Sequence, residues 1–136
     1  MVLFHRKSKA KPKPATHLRG RLNKQGRHMT ANTVTLTWVD PTELVDGSAL
    51  PPGATVAVFD SGSPTPSVAL TTIAIGVETF TTAILPAGVH NFTVVVTDPL
   101  GVSSVPSNVA SVTVPVLTDT SPPDPATGLT AVLNTQ

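Results

Sequence analysis

The sequence predicts an all-β protein that folds as an antiparallel sandwich of two sheets. Val and Thr dominate the chain after Met29, that region contains no Lys or Arg, and the chain holds 14 Pro. Branched side chains favour the pleated, half-buried surface of a strand and are poor helix formers. Short alternating segments separated by turn residues at regular spacing favour the same class.

The first clear strand covers residues 33–38, where three Thr alternate with Val34, Leu36 and Trp38. Such alternation is typical of a strand with one buried face. Asp40-Pro41 ends it, and a loop runs to Gly53 before a second predicted strand at 55–60. The other predicted strands are 67–75, 78–85, 90–98 and 108–114.

A seventh strand is predicted from an internal repeat. Residues 14–25, PATHLRGRLNKQ, align without gaps to residues 125–136, PATGLTAVLNTQ, and Pro12 aligns with Pro123. Repetition at a fixed offset is typical of tandem domains. The first copy is expected to form a strand with Leu18 and Leu22 facing inward.

Three stretches resemble a fibronectin type III domain. The PPDPATGLTAVLN segment looks like the opening strand of that family, TVTLTWVDP resembles its second strand with Trp38 as the core tryptophan, and ILPAGVHNFTVVVTDPLGVSSVPSN is similar to its late segment. The resemblance implies a seven-stranded sandwich over residues 14–116, between a basic arm (1–13) and a Pro-rich tail (117–136). A more general immunoglobulin-like sandwich stays open.

One position departs from the family pattern. Phe92 stands where the family usually has a Tyr whose hydroxyl bonds to backbone and closes a corner. The corner must then be held by another group, or the alignment shifts. The predicted core comprises the inward positions of the strands: Leu18, Leu22, Val34, Leu36, Trp38, Val56, Val58, Leu70, Phe80, Ile84, Phe92, Val94, Val96, Val109 and Val112.

The charges are segregated along the chain. All nine Lys and Arg lie between Arg6 and Arg27, and all eight Asp and Glu lie at or beyond Asp40. Such a basic segment can capture an acidic surface. The predicted partner-binding residues are Arg6, Lys7, Lys9, Lys11 and Lys13 on the arm, Arg19 and Arg21 on the outward face of the first strand, and Lys24 and Arg27 in the loop after it.

Other kinds of chemistry find little support in the sequence. There is no Cys, and the four His have no metal-ligand spacing, so no metal, cofactor or enzymatic activity is expected. His90 is expected to be a surface residue at the start of a strand. The loop acids Asp40, Glu43, Asp46 and Asp60 lack the pattern of a calcium loop, which leaves a cation site as a minor alternative.

Residues 117–136 have three competing interpretations. They could be a stub left by truncation or by translational extension, which is known for phage proteins with domains resembling this one. They could donate a strand to a neighbouring subunit, with Leu129, Ala131 and Leu133 on one face. They could also fold back on their own sheet.

The resemblance, together with the charge pattern, leads to a functional hypothesis. We expect a non-enzymatic virion protein of the capsid decoration or head-fibre type, anchored through its basic segment to an acidic surface such as the major capsid protein. Domains resembling this one are thought to contact carbohydrate weakly, and homo-oligomers are a further option. The alternatives are a cell-surface or secreted adhesion module and a nucleic-acid-associated protein acting through residues 1–27. No membrane span or secretion signal is recognised in the sequence.

Overall fold

The computed structural model describes residues 10–23, 32–61, 68–116 and 123–134. Within these ranges the regular structure consists of β-strands. The strands are β1 (Thr16–Asn23), β2 (Thr33–Val39), β3 (Thr55–Asp60), β4 (Thr71–Ala74), β5 (Thr79–Thr81), β6 (Gly88–Thr97) and β7 (Ala110–Val114).

The strands form two antiparallel sheets, one in the order β1-β2-β5 and the other in the order β4-β3-β6-β7. The strands alternate between less and more exposed residues, as in β3, where Val56 and Val58 are fully buried. The inward faces form one hydrophobic cluster that includes Leu36, Trp38 and Phe92. This confirms the predicted all-β class and the sandwich of two antiparallel sheets.

Most of the predicted core is buried, but three positions were wrong. Leu70, Ile84 and Val109 are 38%, 67% and 58% exposed. Val109 precedes β7, whose inward residues are Ala110, Val112 and Val114. Leu22 and Phe80 are only partly buried against the cluster, while Ala15 and Ala54, which were not predicted, belong to it.

Of the predicted strand at 78–85, only β5 forms a regular strand. After β5, the hydroxyl of Thr82 takes part in the hydrogen bonding to β2. The backbone N–H of Val34 donates to the hydroxyl of Thr82 at 3.0 Å, and the N–H of Thr82 donates to the carbonyl of Val34 at 2.9 Å. Leu85 then donates its N–H to the carbonyl of Asn32. The chain therefore continues beside β2 without strand register, and Ile84 faces outward.

Serine side chains extend the edge of β6 in the same way. The N–H of Val94 donates to the hydroxyl of Ser107, and the N–H of Val96 donates to the hydroxyl of Ser104, both at 3.0 Å. The N–H groups of both serines donate in return to the carbonyls of the same two valines. This segment covers one half of the β6 edge, and β7 covers the other half.

Strand β1 closes the open side between the two sheets. It pairs with β2, but the register shifts between Thr16 and Arg19, and His17 takes a left-handed φ of 56°. At this bulge the side chain of Asn108 bonds to the backbone of Leu18. Its Oδ1 accepts from the N–H of Leu18 and its Nδ2 donates to the carbonyl of Leu18, both at 3.0 Å. Because Asn108 lies just before β7, these two bonds join one sheet to the other.

Gly20 allows β1 to approach β7 closely. A Cβ built at this position would lie 2.7 Å from Cγ2 of Val112 and 3.2 Å from Cδ2 of Leu36. Real Cβ atoms do not approach side-chain carbons so closely, so only Gly fits without a shift of the strands.

The described end of the predicted basic arm lies against the loop after β2. Pro12 is fully buried and bridges to Leu44, while the N–H of Val45 donates to the carbonyl of Lys11 at 2.8 Å. The N–H of Lys13 donates to the carbonyl of Glu43. Residues 11–13 therefore form an extended contact with the sandwich, ahead of the predicted domain start at residue 14.

We expect Gly20→Ala to lower the free energy of unfolding by about 1–3 kcal/mol, the usual range for overpacking a close contact. Urea denaturation would measure the change. Arg21→Ala, on the exposed face of the same strand, is the control and should change stability by less than about 0.5 kcal/mol. Equal stability of the two variants would show that β1 does not pack this closely. The double variant Gly20→Ala/Val112→Ala should lose less free energy of unfolding than the sum of the losses in the two single variants.

Candidate functional site

The outer surface of the β1-β2-β5 sheet combines guanidinium and hydroxyl groups. Its members follow from the strand register, which places Arg19 opposite Thr37 and Arg21 opposite Thr35. We call this surface the Arg/Thr face, and it consists of Arg19, Arg21, Asn23, Thr33, Thr35, Thr37, Thr79 and Thr81.

Hydrogen bonds order part of the Arg/Thr face. The amide of Asn23 donates to the hydroxyl of Thr35 at 2.8 Å and to that of Thr33 at 3.2 Å. The hydroxyls of Thr35 and Thr81 are 3.0 Å apart. Both arginines are exposed, and within the described part of the chain neither guanidinium forms an ion pair.

The two outer surfaces of the sandwich differ in charge. The outward positions of the β4-β3-β6-β7 sheet are neutral side chains: Thr55, Ala57, Phe59, Thr72, Ala74, Val89, Asn91, Thr93, Val95, Thr97, Ser111 and Thr113. The positive charge on the described strands therefore lies on one face only, because Arg19 and Arg21 alternate with the inward Leu18, Gly20 and Leu22.

The nearby carboxylates are occupied by structural bonds. Asp40 accepts from the indole N–H of Trp38 at 2.8 Å and from the N–H of Gly76 at 2.7 Å. Glu78 accepts from the N–H of Asp40 at 2.9 Å. These bonds tie the end of β2 to the turn before β5, and they hold both acids at one end of the Arg/Thr face.

The structure describes four of the nine predicted partner-binding residues: Lys11, Lys13, Arg19 and Arg21. Lys11 is exposed, and the ammonium of Lys13 lies 2.6 Å from a carboxylate oxygen of Glu43, with both side chains about half exposed. Exposed pairs of this kind contribute little stability. The remaining predicted cations, Arg6, Lys7, Lys9, Lys24 and Arg27, lie outside the described residues.

The predicted donor residues of the tail are fully accessible. Residues 123–134 are exposed throughout and form no strand. Leu129 and Leu133 are 97% and 87% exposed, and Ala131 between them is also exposed. The tail therefore exposes three apolar side chains at alternate positions.

His90 is buried, so its predicted surface position was wrong. Its Nδ1 lies 2.6 Å from Oδ2 of Asp60, and its Nε2 donates to the carbonyl oxygen of Pro86 at 2.9 Å. The side chains of His90 and Asp60 are only 3% and 2% exposed. The imidazole also stacks on the ring of Phe92, with the centroids 6.2 Å apart.

This pair links the start of β6 to its surroundings. His90 bonds to the backbone four residues upstream, at Pro86, and to the side chain of Asp60 on β3. Asp60 lies opposite Phe92 in the sheet, which places its carboxylate diagonally across from His90. Local pattern could not reveal this contact, because it joins residues 30 apart in sequence.

The surroundings of His90 stabilise its protonated form. Burial, the largest single effect, lowers the pKa of the imidazole, but the hydrogen bonds to Asp60 and Pro86 and the charge of Asp60 together raise it above 6.5. Both ring nitrogens are engaged, so the imidazole has no free nitrogen with which to activate a nucleophile. The pair therefore joins β3, β6 and the chain at Pro86.

The four loop acids do not gather. Asp60 lies on β3 and contacts His90 of β6. Asp46 accepts from the N–H and the hydroxyl of Ser48 within its own turn. In the described ranges no group of three or more His, Asp or Glu side chains is arranged to hold a metal ion. Nor does the described part contain a helix long and apolar enough to span a bilayer.

Comparisons with known proteins support the fold alone. No protein-family model and no curated protein sequence matches the chain. Among solved structures, a computationally redesigned β-sandwich protein aligns over 79% of this chain and 94% of its own length, with a TM-score of 0.52 and 17% identity. A myokine structure aligns over 78% of this chain and all of its own, with a TM-score of 0.47 and 14% identity.

The free energy of unfolding should fall as the pH rises. Because the folded-state pKa of His90 is raised, the contribution of its protonation is fully present below the unfolded value of about 6.5 and is lost as the pH rises through the folded value. Urea denaturation at about pH 5.5 and about pH 8.5 would measure this loss.

The control separates His90 from the other histidines. His17→Asn, at an exposed position with left-handed backbone, should keep the pH dependence, whereas His90→Gln should remove most of it. A direct NMR titration of the wild-type His90 ring covers the case in which His90→Gln fails to fold. A measured pKa at or below 6.5 would contradict the prediction.

Proposed function

We propose that this protein is a non-enzymatic virion component of the capsid decoration or head-fibre type. Its basic N-terminal segment and Arg/Thr face dock on an acidic protein surface, and the opposite side of the sandwich is displayed. The observation that carries the proposal is the one-sided charge of the sandwich: Arg19 and Arg21 project from one outer face, and among the described strand residues the other outer face carries no charged side chain.

The geometry of the basic residues supports a protein surface as partner. Lys11 and Lys13 lie on the extended segment that leads directly into β1, so at least four cations follow one edge of the sandwich. Guanidinium groups form two-pronged hydrogen bonds with carboxylates, and neighbouring hydroxyls can accept or donate further bonds. A row of Asp and Glu side chains on a capsid lattice would match both features.

The sandwich itself is proposed to be of the fibronectin type III kind. Two features support this assignment. The core tryptophan, Trp38, lies buried on the second strand with its indole N–H bonded to Asp40. The corner before β6 is closed by a side-chain bond to upstream backbone, with His90 in the role of the Tyr.

The proposal is tested by particle association. During infection with the phage that carries the gene, the protein should co-sediment with purified particles, and deletion of residues 1–13 should greatly reduce its ratio to the capsid protein. Retention of the truncated protein at the full ratio would refute the basic segment as an anchor. Failure of the intact protein to associate with particles would refute the virion assignment.

The contribution of the Arg/Thr face can be measured separately. Arg19→Gln with Arg21→Gln should weaken particle binding about fivefold or more, as expected for the loss of two exposed charge pairs worth about 1 kcal/mol together. The matched control is Thr72→Glu with Thr113→Glu, which lowers the net charge equally at exposed positions of the other sheet. Equal losses in both variants would show that only net charge matters.

Salt dependence distinguishes the nucleic-acid alternative. Binding of duplex DNA through the same cations would be strong at low salt and would fall linearly in log affinity with log salt. Tight, salt-sensitive DNA binding by purified protein, abolished by deletion of residues 1–13, would favour that alternative over a protein partner.

A further inference from the structure

At one position the tail shares a backbone feature of β1 as well as its sequence. His17 has a φ of 56°, and Gly128, at the matching position of the repeat, has a φ of 72°. Outside Gly, the left-handed conformation is found at His17 alone in the described chain. The tail is therefore shaped like β1 at its bulge, although it forms no strand.

The apolar face of the tail has no cover in this structure. Leu18, the first inward residue of β1, is 3% exposed and Leu22 is partly buried, whereas their counterparts Leu129 and Leu133 are 97% and 87% exposed. The repeat itself indicates what would cover this face, because the same pattern in β1 packs on β2 and β7.

The tail has better strand chemistry than β1 at three positions. Gly128 takes the left-handed φ without the steric cost that His17 bears. Thr130 and Val132 replace Arg19 and Arg21, and branched side chains favour strands. The opposing effect is Ala131, which replaces Gly20 and would bring a Cβ within 2.7 Å of Val112.

From this match we propose that residues 127–134 of one copy take the place of β1 on the β2 edge of a second copy. Leu129 then occupies the position of Leu18, with its backbone N–H and carbonyl bonded by Asn108 of the second copy, and Thr130 lies opposite Thr37. The exchange is head-to-tail, so it links copies into open chains or rings.

The direction of the strands favours a second copy over the same one. Asn108 binds Leu18, and Val112 packs near Gly20, so β1 and β7 run in the same direction. To fill its own β1 position, the chain after Val114 would have to return along the whole strand, about 26 Å for eight residues. Parallel neighbours usually need a crossover of at least about a dozen residues, and residues 115–126 meet only this minimum. A second copy needs no such return.

The test uses engineered disulfides, because the chain contains no Cys. A size-tagged Thr130→Cys protein is mixed with an untagged Thr37→Cys protein and oxidised mildly at high protein concentration. The expected result is a mixed disulfide between them. The matched control replaces Thr37→Cys with Thr72→Cys, which also puts a thiol at an exposed Thr on an outer face but on the other sheet. The control pair should give no more mixed disulfide than random collision.

Three further variants check the mechanism. In the Thr37→Cys protein, Val112→Ala removes the atom that Ala131 of the other copy would meet, and it should raise the yield of mixed disulfide. In the same protein, His17→Gly stabilises the resident β1 and should lower that yield. Leu129→Asp with Leu133→Asp should abolish it, and circular dichroism would show that each variant stays folded.

Two outcomes would overturn the proposal. A mixed disulfide yield equal to that of the Thr72→Cys control would show that the tail does not occupy the β2 edge. A disulfide formed within one chain of the Thr37→Cys/Thr130→Cys double variant, at the expense of the mixed product, would show that the tail folds back on its own sheet.

Discussion

The close packing of β1 across the gap between the two sheets is the constraint on which the rest of the structure depends. Gly20 brings the strand against Val112, and the two hydrogen bonds between Asn108 and Leu18 fasten it to the opposite sheet where the β1 ladder is interrupted. Leu18 of β1 belongs to the same hydrophobic cluster as Leu36 and Val112, so this close approach joins β1 to the core. The same packing turns Arg19 and Arg21 outward. One face of β1 therefore packs on the core, and the opposite face carries the basic side chains.

Where β6 begins, a buried ionisable pair joins this strand to β3 and to the carbonyl of Pro86. Both ring nitrogens of His90 are bonded, one to Asp60 and one to the carbonyl of Pro86, and no buried side-chain nitrogen or oxygen in the described residues lacks a partner. The His90–Asp60 pair makes stability depend on pH, because its hydrogen bonds and the charge of Asp60 raise the pKa of the imidazole in the folded state.

The two ends of the chain make opposite demands on β1. The basic segment uses β1 as its continuation onto the sandwich, and Pro12 and Lys13 dock beside it on the loop after β2. The tail carries a second version of the same strand with its apolar face exposed. If the tail replaces β1 in a neighbour, the displaced strand takes Arg19 and Arg21 with it, so assembly of copies and presentation of the basic face are physically coupled.

The sequence by itself determined the all-β class and the strands with strong local alternation. Residues 33–38, 55–60 and 90–98 alternate with a period of two, and the Val, Leu and Phe side chains on their inward faces are buried in the structure. It also located Arg19 and Arg21 on an outward face, through the repeat that identified β1. Only the tertiary structure decided the short length of β5, the closeness of Gly20 to Val112, and the partners of His90 and Leu18. Those features depend on how strands 30 to 90 residues apart come into register. Periodicity along one strand carries no information about that register, since it is set by packing between sheets.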